Sequence, residues 1–412
     1  MTSAAITIDP ADAGFDARRL ARIDTHFQEY VDDGRLPGWQ VVVSRGGDVV
    51  HASTYGVRDI AAGAPWTDDT VVRMYSMTKP ITSVAAMMLY EEGRFELKDP
   101  VSRYIPSFAD TRVYRSGSFL KPVTEPVTET MQIWHLLTHT SGLTYGFHNS
   151  HAVDAIYRKN GFEWGYPPGE DLAQITDRWA ALPLVFQPGT GWNYSVSTDV
   201  LGRIVEVVSG MPLDEFIRTR ITEPLKMSET EFWVPESRAD RLASLYVPSP
   251  ADGTAVPAPG PMGGGLDRRP AMISGGGGIT GTAADYLRFA HMLLNRGELD
   301  GVRLLGSRTV EFMTKNHLPG GVDLEQFGQS TFAETQFDGV GFGLGFSVVL
   351  DPVANEVLSS PGEFAWGGAA STAFWVDPKE EICAVFLTQL LPSSTHPIRP
   401  QLKQLVYQAL VD

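Results

Sequence analysis

The chain has 412 residues, of which 43% are hydrophobic and 20% charged, proportions typical of a globular protein large enough for two lobes around one cleft. Its formal net charge of −16 disfavours nucleic acids and anionic membranes as partners, because both are bound by clustered Lys and Arg, and no such cluster is visible. The N-terminus lacks a signal-peptide pattern and no run reaches the roughly 18 apolar residues of a membrane span, so we expect a cytoplasmic protein.

The N-terminal part predicts one helix, a hairpin and a second helix. Residues 16–34 space their apolar side chains as an amphipathic helix that glycine closes. Two β-rich runs within 38–56 meet at Arg-Gly-Gly-Asp, 45–48, which is a hairpin signal. An apolar, helix-forming run then predicts a helix over 76–92.

The middle of the chain predicts helices and loops, with almost no strand signal as far as about residue 230. The helical segments are 131–140, 171–182, 198–210 and 213–221. Residues 247–278 are so rich in Pro and Gly that they predict a long loop, which we expect to border the cleft.

The C-terminal part predicts helices over 282–297, 307–317 and 396–410, and strands over 341–351, 369–378 and 382–390. The single cysteine, Cys383, falls in the last of these strands and is expected to fill the core. Strands at both ends of the chain imply an α/β (α+β) fold with one antiparallel sheet flanked by helices. The predicted domains are 1–75 with 282–412, and a mostly helical domain over 76–281.

Two patterns resemble ligand-binding motifs, but each lacks a feature that its motif requires. The glycines of 275–281 match a dinucleotide fingerprint, but the strand which that motif requires does not precede them. His135 and His139 are spaced like zinc ligands on a helix, but Leu136 stands where the H-E-x-x-H motif needs glutamate. We expect no metal and no organic cofactor.

The S-x-x-K pattern occurs twice and predicts a nucleophile only in its first copy. Ser76 and Lys79 precede an apolar helical run, so their side chains should lie about one turn apart on one face. Ser118 and Lys121 lie in a loop-like segment. On this stretch alone, Ser76 could equally be an ordinary helix N-cap.

A serine hydroxyl needs a group that accepts its proton, and a lysine can do so only when it is neutral. A helix N-terminus adds N–H groups that stabilise developing negative charge. The chemistry therefore asks for one further proton carrier and a second backbone donor.

Four blocks of the chain together resemble a known family. They are MYSMTKP at 74–80, HLLTHTSGL at 135–143, PGTGWNYSVSTDVLG at 188–202 and WGGAAST at 366–372. Their order and spacing resemble the serine β-lactamase and penicillin-binding-protein-like superfamily, specifically its family VIII carboxylesterases. The resemblance implies a β-lactamase-like fold, with Ser76 as acylated nucleophile, Lys79 as its base partner and Tyr194 as proton relay.

The resemblance also implies an oxyanion hole and a substrate class. Trp366, Gly367 and Gly368 occupy the place of the K-T-G strand of β-lactamases, and the oxyanion donors are then the backbone N–H groups of Ser76 and Ala369. Trp366 supplies no cation for a substrate carboxylate. Val196 stands where the Y-x-N motif has an amide-binding asparagine. Both departures favour esters.

The sequence thus predicts a serine hydrolase for small to medium carboxylic esters. Acyl transfer, β-lactam hydrolysis and D-amino-acid peptidase activity through the same acyl-enzyme remain alternatives, and a non-catalytic penicillin-binding-like sensor is a rival from another class. Tyr145, Phe147, Trp192 and Trp366 are candidates for an aromatic wall of the substrate site, although each could be core. The partner expected is a small-molecule ester, and the sequence makes no prediction of oligomeric state.

Overall fold

The computed structural model describes residues 4–259, 266–328 and 336–411. In chain order its strands are β1 (Gly38–Arg45), β2 (Asp48–Asp59), β3 (Ala64–Pro65), β4 (Val72–Arg73), β5 (Arg112–Ser118), β6 (Lys121–Pro126), β7 (Tyr246–Pro248), β8 (Ala255–Pro257), β9 (Thr280–Gly281), β10 (Glu298–Leu299), β11 (Val302–Arg303), β12 (Val340–Phe342), β13 (Ser347–Val349), β14 (Phe364–Gly367), β15 (Ala373–Asp377) and β16 (Ile382–Leu387). Its α-helices are α1 (Ala17–Leu20), α2 (Arg22–Asp32), α3 (Thr78–Glu91), α4 (Ile133–Leu137), α5 (Ala152–Lys159), α6 (Leu172–Ala180), α7 (Ser197–Ser209), α8 (Leu213–Ile217), α9 (Ala283–Leu294), α10 (Ser307–Met313), α11 (Leu324–Phe327) and α12 (Ile398–Tyr407).

One antiparallel sheet joins the two ends of the chain. Its eight strands follow the order β12-β13-β14-β15-β16-β1-β2-β3. The central contact is between β1 and β16, where Val42 lies opposite Val385. The predicted hairpin turn at 45–48 joins β1 to β2, with Arg45 opposite Asp48. These pairings confirm the predicted sheet, and each predicted helical segment contains a helix.

Helices cover both faces of this sheet because its strands carry apolar side chains on both sides. On one face, α2 and α12 pack over Trp39 and Phe386, and the ring of Phe27 from α2 lies 4.9 Å from that of Phe386. On the other face, Tyr286 of α9 packs 4.9 Å from Phe374 of β15. The neighbouring Trp375 belongs to the first face, as the alternation of side chains along a strand requires.

The middle of the chain builds a helical layer around α3. Every residue from Thr78 to Leu89 is buried, and α7 packs along this helix while α4 and α6 pack against α7. Burial on all sides explains why α3 is mostly apolar, and its polar side chains Lys79, Thr82 and Ser83 are buried as well. The proposed division into 1–75 with 282–412 and 76–281 remains a prediction.

One prediction for the middle region is wrong: it contains a β-hairpin. Strands β5 and β6 pair, and Ser118 lies opposite Lys121, so the second S-x-x-K copy spans a hairpin turn. Most residues of this hairpin are exposed and it contains two prolines. It therefore lacks the alternating apolar pattern from which strands are predicted.

The C-terminal strands also differ in detail from the prediction. Residues 341–351 form two short strands, β12 and β13, because the chain turns at Gly345, whose φ is 97°. The strand predicted over 369–378 begins at Ala373, and β14 precedes it. In the predicted loop 247–278, β8 pairs with β7. Residues 260–265 of that loop lie outside the described residues.

Cys383 is fully buried in β16, as predicted, and burial raises the pKa of its thiol. Among the helices that the structure describes, no helix has the length and apolar character needed to cross a membrane.

Candidate active site

Ser76 lies where a short strand pair meets the start of α3. Strand β4 pairs with β9, and the chain then passes through Tyr75 into a single 3₁₀ turn, Tyr75–Met77. Tyr75 has a φ of 46°, a left-handed conformation that is costly for a tyrosine and is often found at functional sites. Ser76 keeps 8% of its surface exposed. No side chain caps the first turn of α3, so the N-cap interpretation of Ser76 finds no hydrogen bond to support it.

Lys79 lies on the first turn of α3 and reaches back to this serine. Its Nζ lies 3.3 Å from Ser76 Oγ and donates a 2.7 Å hydrogen bond to the carbonyl oxygen of Gly276. The side chain is 2% exposed. The predicted meeting of Ser76 and Lys79 side chains is thus present in the structure.

Residues 274–278, here called the glycine strap, hold the carbonyl that Lys79 contacts. Thr82 of α3 donates to the Gly275 carbonyl over 2.8 Å, and Thr78 Oγ1 accepts from the N–H of Ile279 just beyond the strap. On its other side the strap is bound by Asp199 of α7, which accepts from the N–H of Gly276 over 3.0 Å. The strap is therefore fixed between two buried helices.

Tyr194 is buried directly beside Lys79. The Lys79 Nζ lies 4.4 Å from the centre of the Tyr194 ring. Rings of His139 and Trp366 pack against Tyr194 with centroid distances of 4.9 and 5.3 Å. His148 donates a 2.6 Å hydrogen bond to the Tyr194 carbonyl. The structure therefore brings Ser76, Lys79 and Tyr194, the three predicted catalytic residues, into one cluster.

A hydroxyl cluster ties the block at 135–143 to the block around Tyr194. Ser197 Oγ lies 2.7 Å from Ser141 Oγ and 2.7 Å from Ser195 Oγ, and all three side chains are buried. His139 Nδ1 lies 3.3 Å from Ser195 Oγ. This cluster gives a structural reason for the serines of both blocks, which connect the backbone just after Tyr194 to the block at 135–143.

The two buried histidines nearest Lys79 are held neutral. Burial lowers the pKa of His139 well below its ordinary value, and the charge of Lys79 lowers it further. Burial likewise lowers the pKa of His148, and the charge of Lys79 adds to this, while the hydrogen bond to Tyr194 opposes it. Neither imidazole therefore brings a second positive charge to the cluster at neutral pH.

The turn after β14 places the second predicted oxyanion donor near Ser76. A Cβ on Gly368 would lie 2.3 Å from the Met74 carbonyl oxygen, and a Cβ on Gly367 would lie 2.2 Å from the guanidinium of Arg399. Arg399 also donates to the Gly368 carbonyl over 3.1 Å. Only glycine permits this close approach, which brings Ala369 to the same cavity as Ser76.

That cavity has a volume of about 350 Å³. Of the predicted substrate-binding residues, it is lined by Tyr145, Phe147 and Val196. Trp192 is fully buried and Trp366 is 2% exposed. These two indoles pack around Tyr194 and Phe342, in the layer behind the cavity wall.

Several residues of the site were not predicted from the sequence. Trp164 extends an aromatic stack that runs from Tyr145 through Phe147, with ring separations of 4.7 and 4.8 Å. It lies in an irregular segment that has no periodic pattern. Asp199 carries no distinct signal, because a carboxylate in the first turn of an amphipathic helix such as α7 is common.

Comparisons with known proteins identify the family of the chain. The family model described as Beta-lactamase matches residues 23–408. Protein Rv1367c of Mycobacterium tuberculosis is 37% identical, covering 89% of this chain and 88% of its own. Esterase EstB of Burkholderia gladioli is 32% identical, covering 93% and 94%. The solved structure of "EstCE1, a hydrolase with promiscuous acyltransferase activity" superposes with a TM-score of 0.77 at 28% identity, covering 95% and 99%.

The antiparallel sheet and the helical layer around α3 form a β-lactamase-like fold, and the esterase relatives identify the chain as a serine hydrolase of this fold. The chain belongs to the Beta-lactamase family.

Proposed function

We propose that the protein hydrolyses small to medium carboxylic esters through an acyl-enzyme on Ser76, with Lys79 and Tyr194 moving the protons. The observation that carries this proposal is the buried contact of 3.3 Å between Lys79 Nζ and Ser76 Oγ at the mouth of an apolar cavity. The esterase names of relatives that cover nearly the whole chain support the reaction class.

In the first half of the cycle, Ser76 Oγ attacks the ester carbonyl carbon and its proton passes to Lys79 or Tyr194. The negative charge that develops on the carbonyl oxygen is stabilised by the N–H groups of Ser76 and Ala369. The carbon–oxygen bond to the alcohol then breaks, and the alcohol leaves with the transferred proton. In the second half, water gives up a proton to the same pair and attacks the acyl group, which releases the acid and restores Ser76.

The lining of the cavity supports an uncharged substrate. Nine aromatic side chains line it, among them Tyr145, Phe147 and Trp164, while Glu163 is the single acidic residue and no Lys, Arg or His occurs among its described lining residues. A substrate carboxylate would find no cation there. Membrane, nucleic-acid and metal partners do not enter this proposal, and a cytoplasmic location remains a prediction from the sequence.

We expect p-nitrophenyl butyrate to be hydrolysed with a kcat/KM about 10- to 100-fold above that of a chromogenic cephalosporin. The reason is that the described lining of the cavity has no cation to bind a β-lactam carboxylate, a charged hydrogen bond worth about 1.5–3 kcal/mol. Steady-state assays on both substrates measure the ratio, with p-nitrophenyl acetate and octanoate to span chain length. Faster turnover of the cephalosporin would contradict the proposed substrate class.

Acyl transfer is the second candidate, because the acyl-enzyme can react with an alcohol in place of water. EstCE1, the structural relative described above as a hydrolase with promiscuous acyltransferase activity, combines both reactions in one protein. Adding a short alcohol during turnover of p-nitrophenyl butyrate separates the two: transfer yields a new ester at the expense of free acid, whereas strict hydrolysis leaves the acid yield unchanged.

A further inference from the structure

A buried carboxylate lies behind the catalytic lysine, on the far side of the glycine strap. Asp199 is fully buried, and its Oδ1 accepts hydrogen bonds from Ser274 Oγ over 2.6 Å and from the N–H of Gly276 over 3.0 Å. The carbonyl of the same Gly276 accepts from Lys79 Nζ over 2.7 Å. One residue of the strap thus connects the carboxylate to the lysine.

We propose that Asp199 is a positioning residue, whose negative charge and strap contacts set the protonation and orientation of Lys79. This inference rests on the proposed role of Lys79 as the proton acceptor of Ser76.

The strap fits closely against Asp199 and the start of α7. A Cβ on Gly276 would lie 2.5 Å from Asp199 Oδ2, and a Cβ on Gly275 would lie 2.9 Å from the Thr198 carbonyl oxygen. The strap therefore approaches the first turn of α7 so closely that only glycine fits at these two positions. Loss of the carboxylate would free the Gly276 peptide, whose carbonyl fixes Lys79.

Asp199 is the carboxyl group whose charge is coupled to that of Lys79. Burial holds the pKa of Asp199 above its ordinary value, while the bond from Ser274, the charge of Lys79 and the N–H of Gly276 act in the opposite direction and favour the carboxylate. Among the described residues, the groups that also face Lys79 include the neutral imidazoles of His139 and His148 and the rings of Tyr145 and Tyr194. Tyr166, whose hydroxyl lies 3.0 Å from Ser274 Oγ, stays protonated because burial raises its pKa.

The expected direction of the change at Lys79 follows because the attraction between two opposite charges favours the charged form of both. Since the charge of Lys79 favours the Asp199 carboxylate, the carboxylate equally favours the ammonium form of Lys79. Removing the negative charge should therefore let the lysine lose its proton at lower pH. A less basic amine is also a weaker general base, so the maximal rate should fall.

The test is the pH profile of kcat/KM for p-nitrophenyl butyrate in Asp199→Asn, which keeps the shape and loses the charge. We expect the rising limb to move to lower pH by about 0.5–1.5 units, and the plateau to fall about 3- to 10-fold. Asp199→Ala, which also frees the strap, should lower kcat about 10- to 100-fold with little change in KM. If the rising limb of the Asp199→Asn profile has the same midpoint pH as that of the wild type, the inference is overturned.

Asp285→Asn is the matched control. Asp285 of α9 is also fully buried, and its Oδ2 likewise accepts from one N–H, that of Glu229, and from one hydroxyl, that of Thr230. This variant should lose stability while the pH profile keeps its wild-type position, because none of the described hydrogen bonds of Asp285 reaches the strap. An equal shift in Asp285→Asn would show a general effect of lost buried charge and would overturn the inference.

Two further variants keep the result interpretable. If the Asp199 variants do not fold, Ser274→Ala removes one of the two bonds to Oδ1, and an unchanged kcat then overturns the inference. Full turnover by Lys79→Met would instead overturn the proposed role of Lys79 as the proton acceptor of Ser76, on which this inference rests. An inactive Lys79→Met combined with a wild-type profile for Asp199→Asn would overturn the role of Asp199 alone.

Discussion

Ser76→Ala is expected to lower kcat for p-nitrophenyl butyrate by roughly 10⁴- to 10⁶-fold, because the variant loses the hydroxyl proposed to form the acyl-enzyme. The burst of p-nitrophenol that precedes steady state should disappear as well. The fold should survive, since Ser76 caps no helix and its Oγ contacts only Lys79 among the described hydrogen bonds. Stopped-flow assays and thermal unfolding on the same preparation measure both quantities.

Ser118→Ala provides the matched control for this experiment. Ser118 begins the second S-x-x-K copy, and it lies in the exposed turn between β5 and β6, where its Oγ accepts only from the N–H of Lys121. Its replacement should leave kcat within about twofold of the wild type. If Ser76→Ala kept the wild-type rate per folded molecule and lost about 0.5–2 kcal/mol of stability, Ser76 would be a structural cap.

Lys79→Met is expected to lower kcat by about 10²- to 10⁴-fold, the usual contribution of a positioned general base. Methionine retains most of the apolar stem in the buried site but cannot accept a proton from Ser76. The burst should become slow, because the first proton transfer is the step that suffers. The Gly276 carbonyl also loses its donor, so unfolding free energy should fall by about 1–3 kcal/mol.

The control for this variant is Lys121→Met, which changes the exposed lysine of the second S-x-x-K copy. It should leave both the rate and the stability close to wild type. A fully active Lys79→Met enzyme would show that another group accepts the Ser76 proton, and Tyr194 would then be the next residue to change.

Much of the fold was predictable because its signals are local. Strands β1, β2 and β16 are β-branched apolar runs, and their position at the two ends of the chain predicts a shared sheet. The hairpin of β5 and β6 was missed because it is polar and exposed. The split of 341–351 into two strands depends on the positive φ of Gly345. It was missed because the apolar residues around this glycine read as one continuous strand.

In the candidate site, too, local contacts were predictable from the sequence and long-range contacts were not. The pairing of Ser76 with Lys79 follows from helix geometry over three residues, so the sequence predicts it directly. The strap contacts join Asp199 and Lys79 to Gly276, residues 77 and 197 positions apart in sequence, and such long-range contacts depend on tertiary packing. The positions of Trp192 and Trp366 behind Tyr194 likewise depend on how sheet and helices meet.

Ser76 is proposed to carry the acyl group of the covalent intermediate, and the most direct test is to locate that group on the enzyme. Rapid acid quenching of the enzyme during turnover of p-nitrophenyl butyrate, followed by digestion and mass spectrometry, should find the butyryl group on the peptide that contains 74–80, with fragmentation placing it on Ser76. Ser76→Ala treated in the same way should carry no adduct. An acyl group on another residue, or turnover with no trapped adduct on Ser76, would contradict the proposed mechanism.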